Sequence, residues 1–294
     1  EALGAAVILE GDTLAETEAF TLGLADREGL VFVHPYDDPL IIAGQGTIGL
    51  EMLDAAPDLD AVVVPIGGGG LIAGIATAMK ARRPDIAIFG VEAALYPSMS
   101  DTLRGRAPSS GGTTLAEGIA VKNPGRITRP IIDALVDEII LLDEAAIENA
   151  VELMADSGRL VVEGAGATAL GAVLARPDLF ASHKTGLVIS GGNIDMRLLA
   201  TVLLRGLVRG GQMMQIRVQI ADAPGHLAKV GRIIGESGGN VVEIVHQRMF
   251  YNVPVKQTDL DVVVETRNSA HGAEIVQALE GAGMPTRVLD DSDA

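Results

Sequence analysis

The 294-residue chain contains no cysteine and no tryptophan. Disulfides and thiolate nucleophiles are therefore excluded, and a reducing cytoplasm is the expected setting. Aromatic residues are scarce, at 3%, although 48% of the chain is hydrophobic. A core of that composition has to be packed from Ala, Val, Ile and Leu. Positive charge is scarce too: 22 Lys and Arg stand against 39 Asp and Glu, a formal net charge of −17. Such a surface repels phosphodiester backbones and anionic lipid, so neither nucleic acid nor membrane is expected as a partner. No stretch reaches the roughly eighteen apolar residues that a spanning helix needs, and no signal peptide is legible. The chain opens at Glu1 on a segment that reads as the end of a helix entering a strand, so a truncated N-terminus is the expectation.

Glycine, by contrast, is plentiful, with 36 residues, and its placement organises the chain. Residues 61–66 form a β-branched apolar run of the kind buried in a parallel sheet. Four glycines follow without a break, Gly67, Gly68, Gly69 and Gly70, and a helical pattern then continues to about Ala81. Glycines at a strand-to-helix junction let backbone N–H groups turn toward a bound anion with no Cβ in the way. The helix adds its own unpaired N–H groups and the positive end of its dipole. This stretch reads as a phosphate cradle. Residues 186–189 form another apolar strand, ending in Ser190-Gly191-Gly192-Asn193 and a helix to about Val208.

Around these two junctions, further strands are expected at 5–9, 30–33, 86–91 and 139–142. Helices are expected from a cap at Asp12 or Thr13 to about residue 27, over 44–55 with Thr47 as a possible cap, over 144–155, and from Glu163 onward. The alternation predicts an α/β domain with a largely parallel sheet. His34-Pro35-Tyr36-Asp37-Asp38-Pro39 reads as an ordered loop rather than an acid–base or metal cluster, since its residues are not at helical ligand spacing. Composition changes at Gly210-Gly211, which predicts one domain over 1–210 and a second over 211–294. The second reads as strands near 214–220, 240–248, 256–266 and 286–289, with helices near 226–237 and 269–282. That βαββαβ order is a ferredoxin-like unit.

Five motifs, taken in chain order, carry a family resemblance. They are the His34–Pro39 loop, Gly44-Gln45-Gly46-Thr47, Gly67–Gly70 with Leu71-Ile72-Ala73-Gly74, Thr114-Leu115-Ala116-Glu117-Gly118-Ile119-Ala120-Val121, and Ser190–Asn193. Together they resemble the fold-type II pyridoxal-phosphate enzymes, and within them the serine/threonine dehydratases, most closely the threonine dehydratases (threonine ammonia-lyases). Residues 211–294, with Asp222-Ala223-Pro224-Gly225-His226-Leu227, Gly238-Gly239-Asn240 and His246-Gln247-Arg248, resemble the ACT domain of the catabolic branch.

The resemblance implies a tryptophan synthase β-like catalytic domain and pyridoxal 5'-phosphate as cofactor. It implies phosphate contacts from Gly67, Gly68, Gly69, Gly70 and Leu71, Ser190 at the pyridine nitrogen, Glu163 near the ring and Gly118 where backbone approaches substrate. A Ser hydroxyl donates to a neutral ring nitrogen but cannot stabilise a pyridinium as an Asp would. The implied reaction is deamination of L-threonine to 2-oxobutanoate and ammonia, or of L-serine to pyruvate. An amino-acid effector is implied at Asp222, Pro224, Gly225, His226 and Leu227, along with a homo-oligomer, dimer or tetramer.

Two family motifs are missing: Ser-x-Lys-x-Arg-Gly, which carries the Schiff-base lysine, and the Ser/Gly-Asn-His-Ala loop for the substrate carboxylate. Lys80, Lys122, Lys184, Lys229 and Lys256 have no such context, so the chain is expected to be a fragment without turnover of its own. Some relatives hold a divalent cation at the stretch following Glu92. Here Tyr96 and Ser98 stand near where a small residue and an acid are needed, and no metal site is expected. Two other readings exist. Gly68-x-Gly70-x-x-Ala73 with Glu92 closing the next strand fits a dinucleotide fingerprint and a dehydrogenase. Alternatively, the C-terminal unit makes the chain an amino-acid-sensing or dimerisation module.

Overall fold

The computed structural model describes residues 3–11, 14–247 and 256–289. The chain divides into two compact units, Glu1–Asn193 and Ile194–Ala294. The first holds α1 (Leu14–Glu28), α2 (Pro39–Ala55), β1 (Ala61–Pro65), α3 (Gly70–Arg82), β2 (Ala87–Ala93) and α4 (Ser98–Leu103). After a 3₁₀ turn at Glu117–Ile119 come α5 (Thr128–Leu135), β3 (Glu138–Leu142), α6 (Glu144–Asp156), α7 (Gly164–Ala175), α8 (Pro177–Phe180) and β4 (Thr185–Leu187). Its four strands are parallel, in the order β3-β2-β1-β4.

β1 shows why a continuous apolar run is needed. Every residue of Ala61–Pro65 is buried, because helices cover both faces of the sheet. Val62 and Val64 join Ile42, Ile72, Ile75 and Met79 in one core. Ala61 and Val63 join Phe89, Val91, Ile140, Ile147, Ala165 and Ala169 in another. Full burial of each valine stabilises by about 1.5–3 kcal/mol. Small residues set the helix spacing: a Cβ on Gly74 of α3 would lie 2.2 Å from the Ile42 carbonyl of α2.

Three expectations change here. Residues 5–9 and 30–33 are not strands; no described strand pairs with them, and Val31 is 89% exposed. An apolar run without a ladder partner has no sheet to join. The helix expected from Gly44 begins instead at Pro39, with the Asp38 carboxylate accepting from the Leu40 and Ile41 N–H groups. Gly44 and Gly46 lie inside it, and Thr47 is no cap: its hydroxyl donates to the Gly44 carbonyl. The cap expected at Asp12 or Thr13 lies outside the described residues.

The second unit contains α9 (Met196–Arg209), β5 (Met213–Ala221), α10 (His226–Glu236), β6 (Asn240–Gln247), β7 (Gln257–Glu265), α11 (Ser269–Gly281) and β8 (Thr286–Leu289). The strands form an antiparallel sheet in the order β6-β7-β5-β8. Alternation on β5 buries Ile216, Val218 and Ile220 against Val230, Ile234, Ile275 and Leu279 of the two helices. α9 groups with this unit, so the division falls at residue 193 and not at 210. Arg248, part of an expected motif, lies outside the described residues. No helix among the described residues is long and apolar enough to cross a membrane.

Candidate cofactor site

A cavity of about 910 Å³ opens beyond the carboxyl end of β1, where parallel α/β sheets place their ligands. Gly67, Gly68, Gly69, Gly70 and Leu71 form one wall, and Gly118, Glu163 and Ser190 line it as well. All eight residues singled out from the sequence thus meet around one space. Pro35, Tyr36, Gln45, Ile48 and Met52 complete much of the remainder.

The glycine loop is built for close approach. The Ile66 N–H still donates to Val91 (2.7 Å), after which the chain leaves the sheet. Gly69 is the N-cap of α3, at φ +96°, and no side chain caps the helix. The first helical bond is Ala73 N–H to the Gly69 carbonyl, at 3.0 Å. The N–H groups of Gly70, Leu71 and Ile72 therefore lack intrahelical acceptors, at the positive end of the helix dipole. A Cβ on Gly68 would meet the Tyr36 ring at 2.2–2.5 Å, and one on Gly70 would lie 2.8 Å from the Tyr36 carbonyl. Glycine is needed here for packing as well as for a ligand.

The facing wall is equally specific. Glu163 precedes α7 without capping it, and its N–H donates to the Gly191 carbonyl at 3.1 Å. A Cβ on Gly191 would come within 2.3 Å of the Glu163 carboxylate, and one on Gly118 within 3.4 Å. These glycines leave room for the carboxylate. Ser190 is exposed just past the short β4, whose pairing ends with the Val188 N–H on the Val63 carbonyl at 3.0 Å.

The His34–Pro39 loop holds no acid–base cluster. His34 Nδ1 accepts from the N–H groups of Tyr36 (3.1 Å) and Asp37 (2.8 Å), and Asp38 caps α2. Tyr36 lies against Gly68, and its hydroxyl donates to the Asn123 carbonyl at 3.1 Å. Burial, then the charges of Glu18 and Asp37, push its pKa up, so it stays a neutral phenol. Asp37 reaches across to α5, accepting from the N–H groups of Arg126 (2.9 Å), Ile127 (2.8 Å) and Thr128 (3.3 Å). Tyr36 and Asp37 belong to the His34–Pro39 motif, but their contacts with Gly68 and with the start of α5, and Thr128 itself, are too long-range to leave a local signal.

Glu92 does not line the cavity. It is 1% exposed at the end of β2 and accepts from the Met99 N–H (2.8 Å) and the Ser100 N–H (3.0 Å), closing the start of α4. Burial raises its pKa, while hydrogen bonds from Ser100 and Met99 oppose the rise. So placed, it cannot serve as the ribose carboxylate of a dinucleotide site. No group of three or more His, Cys, Asp or Glu able to hold a metal is assembled among the described residues. No lysine lines the cavity. Lys80 bonds to Asp137 at 3.3 Å, Lys184 to Asp58, and Lys229 to the Ala282 carbonyl at 3.2 Å.

In the second unit, Pro224, Gly225 and His226 line a separate cavity of about 470 Å³ with Ala228, Lys229 and Arg232. Two of the expected effector residues fall outside it. The Asp222 N–H donates to the Lys256 carbonyl at 3.0 Å, and the Leu227 side chain, 43% exposed, turns outward. The helical period accounts for Leu227, since successive residues point about 100° apart.

Comparison with known proteins places this architecture. The family model described as "Pyridoxal-phosphate dependent enzyme" matches residues 1–191. The L-threonine ammonia-lyase of Geobacter sulfurreducens is 44% identical over 288 residues, covering 97% of this chain and 72% of the relative. The L-threonine ammonia-lyase of Thermotoga maritima is 40% identical over 289 residues, covering 98% and 72%. Among solved structures, the processed form of threonine deaminase isoform 2 from Solanum lycopersicum superposes with a TM-score of 0.65 at 36% identity. That match covers 70% of this chain and 58% of the deaminase.

Proposed function

The chain belongs to the family of pyridoxal-phosphate dependent enzymes, and on that premise we propose that the β1 cavity holds pyridoxal 5'-phosphate for the deamination of L-threonine. One observation carries the assignment. An uncapped helix start at Gly69 shares a single cavity with Ser190, so partners for an ester phosphate and for a pyridine nitrogen line the same space. The residues present fit the group: Tyr36 packs so closely on Gly68 and Gly70 that neither can carry a Cβ, and the uncapped N–H groups at the start of α3 are those a phosphate satisfies.

In this reading Gly67–Gly70 and Leu71 bind the phosphate. Ser190 donates to the ring nitrogen and leaves it uncharged. Tyr36, Ile48 and Met52 keep water from the ring, and Glu163 presents its carboxylate beside Gly118. When bound, the cofactor supplies the electron sink that lets an amino acid lose its Cα proton and then its β-hydroxyl. Threonine then yields 2-oxobutanoate and ammonia, and serine yields pyruvate. The cavity has no lysine to carry the cofactor covalently or to take the Cα proton. The chain by itself is therefore expected to bind pyridoxal 5'-phosphate without turning over threonine. Absorbance titration with the cofactor, with an assay for 2-oxo acid, tests both halves; 2-oxobutanoate formed by this chain alone sinks the second.

The antiparallel unit supports a second reading, an ACT domain. The cavity beside Gly225 combines a left-handed glycine, an uncapped start of α10 and the cations Lys229 and Arg232. That combination suits the α-carboxylate of an amino-acid effector, and such units pair between subunits of an oligomer. Calorimetry with isoleucine, valine, serine and threonine distinguishes an effector site from a dimerisation module, which would give no heat with any of them.

A further inference from the structure

We propose that Asp37 and Thr128 are positioning residues for the glycine loop: they pin the Gly68 carbonyl and thereby aim the Gly69 N–H. The proposal rests on the phosphate reading above and deepens it. Four glycines in a row have more backbone freedom than any other sequence, so such a loop does not hold a phosphate cradle by its own preferences. Something outside it must choose one arrangement of its peptide planes.

The structure contains such a device. The Gly68 carbonyl accepts from the Thr128 hydroxyl at 2.7 Å and from the Gly125 N–H at 3.1 Å. Two donors occupy both of its lone pairs. A peptide unit is planar and trans, so the carbonyl of Gly68 and the N–H of Gly69 point in opposite directions from the same plane. Holding the carbonyl against residues 125–128 turns the Gly69 N–H away from them, and Gly69 lines the cavity. Thr128 is itself fully buried.

The anchor is then anchored. Ile127, at the start of α5, carries no side-chain cap. Asp37 replaces that cap from 89 to 91 residues upstream by accepting three consecutive N–H groups, those of residues 126, 127 and 128. Space around this joint is exhausted: a Cβ on Gly125 would lie 2.3 Å from Asp37 Oδ1 and 2.5 Å from Thr128 Oγ1. The adjacent residue, Tyr36, packs on Gly68 itself. One short loop therefore shapes the cradle twice, through its ring and through its carboxylate.

Equilibrium titration of the purified chain with pyridoxine 5'-phosphate and with pyridoxine tests this; neither carries an aldehyde, so lysine adducts cannot form. The wild-type chain is expected to prefer the ester. Thr128→Val keeps the side-chain shape but removes the hydroxyl, and should weaken ester binding about tenfold with pyridoxine affinity unchanged. Thr128→Ser should restore the preference, and Asp37→Asn, losing one acceptor, should weaken ester binding about threefold. Thr128→Val that keeps the wild-type preference, or that weakens both ligands equally, overturns the proposal and leaves the cradle standing. A wild-type chain with no preference for the ester overturns the cradle, and the proposal with it. If Thr128→Val does not fold, amide exchange at Gly69 in ligand-free Asp37→Asn decides: faster exchange than wild type supports the pin, and an unchanged rate overturns it.

Discussion

Two strand-to-helix junctions in this chain share their local parts and differ in everything around them. β1 runs into α3 through Gly69 at φ +96°, and β5 leads into α10 through Gly225 at φ +88°; neither helix has a side-chain cap. A Cβ on Gly69 would meet Ile132, Thr128 and Met99 at 2.7–2.9 Å, whereas one on Gly225 would meet nothing within 4 Å. The first junction is packed from behind and fronts a cavity of about 910 Å³; the second fronts one of about 470 Å³ lined by Lys229 and Arg232. A left-handed glycine at a helix start supplies anion-ready N–H groups in both places. Packing decides whether they are held in one shape, as at Gly69, or left without neighbours, as at Gly225.

The largest expected effect separates the two at once. Gly69→Ala combines an unfavourable backbone conformation with a collision into three neighbours, and should destabilise the first unit by about 3–4 kcal/mol. Binding of pyridoxine 5'-phosphate should be lost along with it. Denaturant unfolding monitored by circular dichroism measures the stability change. A cost below about 1 kcal/mol would mean the packing around Gly69 yields easily, and the contrast with Gly225 would break.

The two regions also differ in how much of them could be read in advance. In the antiparallel unit the expected strand over 286–289 coincides with β8, and the helices expected near 226–237 and 269–282 match α10 and α11 to within one residue at each end. Alternating burial and turn glycines are local signals there. In the parallel unit the informative contacts are distant. α5 was not legible because its cap comes from Asp37 and not from its own sequence. The start of α2 is not legible because Gly44 and Gly46 look like breakers, whereas the close approach of α3 demands Gly46, and a Cβ on Gly44 would meet nothing within 4 Å. Residues 5–9 and 30–33 have a strand's composition but no described strand beside them. The eight cavity residues were legible from motifs, as were Tyr36 and Asp37 within the His34–Pro39 loop; Thr128, and the contacts by which these three residues meet the glycine loop and α5, were not.

A smaller effect sharpens the contrast through pH. Met99, which packs behind Gly69, starts the turn that the buried Glu92 carboxylate closes. Burial raises the Glu92 pKa, so the folded chain binds a proton more readily than the unfolded one. Its contribution is fully present below the ordinary carboxylate value, declines as pH rises, and is lost above the raised value. Glu92→Gln removes that slope, and the loss of one acceptor costs about 1 kcal/mol at every pH. Wild-type stability relative to the variant should therefore fall as pH rises through that window. Parallel melts of both chains across the acid range check the sign; a difference that grows with pH would show that Glu92 is better solvated than its burial implies.

The smallest effect is expected where the packing is absent. Gly225→Ala meets no neighbour, so only the backbone preference for glycine at positive φ is lost, about 1 kcal/mol. The start of α10 can relax without displacing a core residue, and the cavity it shares with Lys229 and Arg232 stays open. If charge recognition dominates at this junction, any heat measured with an amino acid should survive Gly225→Ala and fall sharply in Arg232→Ala. The opposite order would mean that Gly225 fixes a shape as strictly as Gly69 does, without the neighbours that make such fixing possible in the parallel unit. Calorimetry of the two variants against the wild-type chain decides between them.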